Sequence, residues 1–254
     1  MHVHTSRFAD KTVLITGGGS GMGLAAARRF LDEGARVALV GRNAERLEKA
    51  EVELDSEQRV LTVPADISTT SGADAVADAV RERFGTLDAV FANAGVGVFK
   101  RLGDFTEQDV EDVLAANVKG VFFTVQRALP LLNEGSAVVI NASWTHHRGL
   151  AIGSLYAASK AAAGNLAKTL AADLAPHGVR VNAISPGYID TDMYRESVPT
   201  EEGREAARRD VVCGRIGTPE EVASVVAFLA SSDAAYVNGV DLLVDGGLSM
   251  SIPA

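Results

Sequence analysis

Tyr156 and Lys160 stand four residues apart in Ser154–Ala175, an Ala- and Leu-rich run that stops at Pro176-His177-Gly178 and predicts a long helix. On a helix the two side chains share a face. A phenol with a pKa near about 10 is a poor acid or base at neutral pH, and an ammonium beside it stabilises the phenolate. The pair is therefore a candidate for exchanging a proton with a carbonyl or alcohol oxygen. Ser143 follows the predicted strand Ala137–Ala142 and offers a hydroxyl that can hold that oxygen while charge develops on it.

A second piece of chemistry lies near the start. Residues 16–23 read TGGGSGMG, between a predicted strand, Thr12–Thr16, and a predicted helix, Met22–Asp32. Glycines permit a tight turn and let backbone approach a pyrophosphate, and the helix N-terminus offers free N–H groups to an anion. The spacing Gly17-x-x-x-Gly21-x-Gly23 differs from the common G-x-G-x-x-G fingerprint.

These residues need a frame. Further strands are expected at Arg36–Val40, Val60–Pro64, Leu87–Ala92, Val179–Ser185 and Asp241–Val244. Helices are expected at Ala44–Glu57, Gly72–Arg83 and Pro219–Ala230. Thr106 and Asp109 read as a capping box opening a helical region to Leu132, with a break near Ala116–Asn117. Seven strands alternating with helices imply one doubly wound Rossmann-type α/β domain, residues 1–254, with a parallel sheet covered on both faces. The stretch 189–210 is charged, carries Pro199 and Gly203, breaks the rhythm and is expected to be a substrate lid.

Taken in order, the motifs resemble the short-chain dehydrogenases/reductases. They are Thr16-Gly17-x-x-x-Gly21-x-Gly23, Asp66, Asn93-Ala94-Gly95, Asn117, Ser143, Tyr156-x-x-x-Lys160, Pro186-Gly187 and Asp245-Gly246-Gly247. The C-terminal third, from Gly214-Arg215-Ile216-Gly217 onward, resembles the 3-oxoacyl-carrier-protein reductase branch. One departure is Ala92, where the family usually carries a second asparagine.

The resemblance implies hydride exchange between a nicotinamide cofactor and a ketone, aldehyde or secondary alcohol. Tyr156 would be acid/base, Ser143 the oxygen-holding hydroxyl, Lys160 a partner of Tyr156 and of the nicotinamide ribose, and Asn117 the holder of a water relay. Cofactor contacts are expected from Gly17, Gly19, Ser20, Gly21, Met22, Gly23, Gly41, Arg42, Asn43, Asp66, Ile67, Asn93, Ala94, Gly95, Pro186, Gly187, Ile189 and Thr191. Trp144, His146, Leu150, Tyr188 and Met193 are expected to border the substrate.

Cofactor choice is read at the end of strand two. An acid there binds ribose hydroxyls and repels a 2′-phosphate. Here Gly41 is followed by Arg42, whose guanidinium suits a phosphate, which favours NADP(H). Ser20 stands where some NADP-preferring relatives carry a second basic residue. An NAD(H)-dependent alcohol, sugar or steroid dehydrogenase is the alternative, and a dinucleotide-binding regulator without turnover is the alternative of a different class.

Composition narrows the rest. A net charge of -9 argues against a nucleic-acid partner. No apolar run reaches membrane-spanning length, and Met1–Asp10 has no signal-like apolar core and reads as a tail. A lone Cys213 fits a reducing compartment, so a cytoplasmic enzyme is expected. His2 and His4 lack a cluster of further ligands, and no metal is expected. The context Asn141-Ala142-Ser143-Trp144-Thr145 lacks a nucleophile elbow, which excludes a serine hydrolase. Relatives in the family form tetramers, so a homotetramer or homodimer is expected.

Overall fold

The computed structural model describes residues 6–56 and 58–253, so His2, His4 and Glu57 lie outside the described residues. Strand β1 (Thr12–Thr16) is buried along its whole length, because helices cover both faces of the sheet around it. Alternate residues feed opposite faces: Val13 and Ile15 enter one core, Leu14 the other. The first core is closed by Ala26, Ala27 and Phe30 of α1 (Gly21–Asp32), Leu47 of α2 (Ala44–Leu54), and Val222 and Val226 of α9 (Pro219–Ala230). The second is closed by Val76 and Val80 of α3 (Thr70–Phe84), Val121 and Val125 of α5 (Gly120–Ala128), and Ala163, Ala167 and Ala171 of α6 (Ser154–Leu174).

The remaining strands are β2 (Arg36–Gly41), β3 (Val60–Pro64), β4 (Leu87–Ala92), β5 (Leu132–Asn141), β6 (Arg180–Pro186) and β7 (Asp241–Val244). All neighbours pair in parallel, in the order β3-β2-β1-β4-β5-β6-β7. The doubly wound sheet expected from the alternation is present. Its order reverses between β1 and β4, where the carboxyl ends of the strands leave a crevice for ligands.

The helical region after Thr106 divides as expected, with a cause visible in the backbone. The Thr106–Asp109 capping box opens α4 (Glu107–Leu114), and a π turn, Ala115–Lys119, carries Asn117 before α5 begins. The stretch 189–210 differs from an irregular lid: it holds α7 (Asp192–Ser197) and α8 (Glu201–Asp210). Thr191 and Thr200 cap these helices by accepting from the amides of Tyr194 and Gly203, and Arg208 pairs with Glu201 and Glu205 along α8. Such caps and ion pairs replace the apolar stripe that most helices show. Among the described residues, no helix is long and apolar enough to cross a membrane.

Candidate active site

The glycine turn after β1 is built for close backbone contact. Gly17 takes a φ of +66°, and a Cβ there would lie 2.9 Å from the Asn93 amide nitrogen. A Cβ on Gly23 would lie 2.1 Å from the Gly17 carbonyl oxygen, so the first turn of α1 packs on the loop only as glycine. Ser20 is the N-cap of α1 but makes no capping bond with its side chain, and the first turn holds no acidic residue. The helix therefore presents its amides and its positive dipole end without a resident anion.

Asn93 fastens this turn to its neighbours. Its side-chain amide donates to the carbonyls of Thr16 and Gly17, and its oxygen accepts from Asn141 on β5. The Thr16 hydroxyl oxygen accepts from the amides of Asn93 and Ala94. The carboxyl ends of β1, β4 and β5 are thereby tied together.

Two cavities open along this crevice. The larger, about 510 Å³, is lined by Gly17, Gly19, Ser20, Gly41, Arg42, Asn43, Asp66, Ile67, Ala94 and Gly95 from the expected set, and by Arg46, Ser68 and Val96 besides. The smaller, about 280 Å³, is lined by Ser143, Tyr156, Trp144, Leu150, Tyr188 and Met193, together with Met22, Pro186, Gly187, Ile189 and Thr191. Thr191, on the wall of the smaller cavity, reaches the glycine turn, since its methyl would lie 3.3 Å from a Cβ on Gly21. Both volumes suit small-molecule sites, and the larger offers a glycine cradle, a free helix N-terminus and two guanidinium groups to a dinucleotide.

Tyr156 lies against the Phe99 ring, with centroids 5.2 Å apart. The buried Lys160 ammonium lies 5.8 Å from the Tyr156 ring centroid and donates to the Asn141 carbonyl at 2.8 Å. Asn117 is fully buried, accepting from the Val96 amide and donating to the Val96 carbonyl and the Ser159 hydroxyl. Ser159 in turn donates to the Tyr156 carbonyl at 2.7 Å. A Cβ on Gly95 would lie 2.9 Å from Asn117 Oδ1 and 3.2 Å from Lys160 Nζ, so the backbone at Gly95 runs close over both groups.

Against this geometry the comparisons are decisive. Residues 17–249 match the family model described as enoyl-(acyl carrier protein) reductase. Levodione reductase of Leifsonia aquatica is 40% identical over 257 residues, covering 96% of each chain. The 3-oxoacyl-[acyl-carrier-protein] reductase MabA of Mycobacterium tuberculosis is 35% identical over 245 residues, covering 96% of this chain and 94% of that one. A solved structure from Brucella melitensis, a short-chain dehydrogenase/reductase described as glucose/ribitol dehydrogenase, matches with a TM-score of 0.92 at 34% identity. It covers 96% of this chain and 99% of that one.

The chain is a short-chain dehydrogenase/reductase.

The electrostatics of this dehydrogenase/reductase differ from the expectation of a tyrosine tuned toward neutrality. Burial pushes the Tyr156 phenol up to about 12, against the Ser143 hydroxyl, whose hydrogen bond favours the phenolate. Burial also lowers Lys160 to about 8. The ammonium does not dominate because it is itself desolvated and turned toward the Asn141 carbonyl. Asp66 is held below the usual carboxylate range, first by the Ser68 hydroxyl and then, among smaller effects, by the charge of Arg42.

His146 is a correction. It does not line the smaller cavity; its ring turns away and meets Asp241 of β7 at 2.8 Å. Gly21, Gly23, Asn93, Asn117 and Lys160 line neither cavity surface and form the layer behind it. Sequence reasoning missed Arg46, whose Arg42-x-x-x-Arg46 spacing across the start of α2 was the available signal. It also missed Ser159, Phe99, Ile152 and Tyr194, whose placement depends on how loops and α7 fold back.

Proposed function

We propose that this oxidoreductase reduces a neutral, largely apolar ketone to a secondary alcohol, reversibly, with NADPH preferred over NADH. The observation that carries the reading is the smaller cavity. Ser143 and Tyr156 open into it, and the rest of its wall is mainly apolar and aromatic: Phe99, Trp144, Leu150, Ile152, Tyr188 and Met193. No ionised side chain lines it among the described residues. Cations on nearby loops that could serve an acidic substrate have other partners: Lys100 with Asp109, Arg148 with the Leu248 carbonyl, Arg195 with Asp190.

A bound nicotinamide dinucleotide supplies or accepts the hydride. Gly17, Gly19, Ser20 and the α1 amides would hold its pyrophosphate, Asp66 and Ile67 would border its adenine, and Arg42 with Arg46 would meet a 2′-phosphate. The Ser143 hydroxyl, braced by Thr145 Oγ1 at 3.1 Å, holds the substrate oxygen. Tyr156 gives that oxygen its proton; a phenol held near 12 is fully protonated at neutral pH and ready as a donor. Lys160 is positively charged below about pH 8 and steadies the phenolate that remains. Asn117 and Ser159 fix the backbone at Tyr156 and Val96 around them.

We further place 189–210 as a lid over the smaller cavity, since Thr191, Met193, Tyr194 and Val198 close one side of it. The lone Cys213 supports a cytoplasmic location, and exposed Phe122 on α5 supports assembly into a homotetramer or homodimer. The testing experiment is a panel of neutral cyclic and linear ketones, assayed with NADPH and NADH separately. Turnover of apolar ketones faster with NADPH is the expected result. Intact cofactor binding with no turnover anywhere would point instead to a non-catalytic regulator.

A further inference from the structure

His146 and His147 close a 3₁₀ turn, residues 144–146, that follows the loop of Ser143, and both rings turn toward β7. The rings lie 4.0 Å apart between centroids, tilted by 37°. Their Nε2 atoms lie 2.8 Å and 3.0 Å from one oxygen, Oδ2 of Asp241. Nothing in the proposed reaction uses this cluster.

We propose that His146, His147 and Asp241 bind a divalent transition-metal ion of the zinc class. Two imidazoles and a carboxylate are the donor set of such ions, and each residue brings one donor atom, all within 4.8 Å of one another. Bonds of about 2.0–2.1 Å in a tetrahedron separate donors by about 3.3 Å, so each histidine–Asp241 pair, now at 2.8 and 3.0 Å, needs to widen by only about 0.3–0.5 Å. His147 is the most exposed member and has the freedom to make it; its side chain is 26% exposed, against 8% for Asp241.

Two neighbours are arranged around the cluster. Ser185 of β6 donates to Asp241 Oδ1 at 2.7 Å, fixing the carboxylate so that Oδ2 faces the histidines. Such outer partners orient metal ligands. Gly164 sits in the interior of α6, where glycine costs about 1 kcal/mol against alanine. A Cβ there would come within 3.3 Å of both Asp241 Oδ2 and His146 Nε2, so the glycine leaves the donor atoms room. Three protein ligands leave one position of a tetrahedron for water. The ion would clamp the turn next to Ser143 onto β7, as a structural cross-link outside the cavity that holds the substrate.

The test uses the full chain, stripped with a chelator that is then removed, and titrated with Co(II) alone. One equivalent should give the visible absorption of four-coordinate Co(II), displaced by Zn(II), and Zn(II) should raise the melting temperature. His147→Gln, at an exposed position, should keep its circular dichroism spectrum and weaken Co(II) binding by about 100-fold, near the upper end of the effect of losing even an outer-shell partner. Asp241→Asn should do the same, and His2→Ala/His4→Ala should leave binding intact. The proposal is overturned by the absence of saturable Co(II) binding, by binding indifferent to His147→Gln and Asp241→Asn, or by binding lost with His2 and His4.

Discussion

The Lys160 ammonium donates to the main-chain carbonyl of Asn141 at 2.8 Å, bolting α6 to the end of β5 inside the protein. The bond satisfies the charge only in part, and burial lowers Lys160 to about 8 from 10.5. Between those values the unfolded chain binds more protons than the folded one, so stability rises with pH through that window and the contribution is lost as pH falls through about 8. Wild type should therefore gain on Lys160→Met by up to about 3 kcal/mol between about pH 7.5 and pH 10, read by urea unfolding. Tyr156, raised to about 12, has the opposite slope and acts only above pH 10. A gap that stays constant with pH would refute the buried, perturbed lysine.

Tyr156→Phe removes the proton donor and keeps the ring against Phe99. Turnover should fall by at least ~10²-fold, the usual scale of general acid–base help, while cofactor affinity measured by fluorescence quenching stays within a few-fold. A Tyr156→Phe variant that turns over like wild type sinks the proposed mechanism.

Arg42 and Arg46 both border the larger cavity near the end of β2. Arg42→Ala should raise the KM for NADPH about tenfold and leave that for NADH unchanged, and the Arg42→Ala/Arg46→Ala double variant should abolish the preference. Equal losses with both cofactors would contradict the phosphate reading.

Gly23→Ala places a methyl 2.1 Å from the Gly17 carbonyl. The loop and α1 cannot both keep their positions, so calorimetry should show destabilisation by about 1–3 kcal/mol, and binding of either cofactor should weaken strongly. Gly19→Ala meets nothing closer than 3.5 Å and should melt close to wild type.

The seven-stranded parallel sheet was legible because β-branched runs recur between amphipathic segments, whereas the order β3-β2-β1-β4-β5-β6-β7 comes from the packed structure. The spacing of Tyr156 and Lys160 on one helix and the position of Ser143 after a strand were legible, and the fold brings Ser143 and Tyr156 to one cavity. Other features depend on atoms far apart in sequence. His146 belongs to Asp241 because β7 lies beside β6, which local pattern does not encode. The elevated Tyr156 phenol reflects enclosure by Phe99 and the strand ends, a property of the packed site. Helices α7 and α8 are stabilised by caps and ion pairs, so a search for apolar periodicity passes over them.

The π turn at Ala115–Lys119 inserts one residue beyond α-helical count between α4 and α5. Each helical residue corresponds to about 100° of rotation. Deleting one residue there would restore a continuous α-helix and swing the packed face of one flanking helix about 100° away from its partner surface. Either Asn117 would leave Val96 and Ser159, or Val121 and Val125 would leave the core. The extra residue thus acts as a phase shifter, letting one unbroken helical rod serve two surfaces set at different angles.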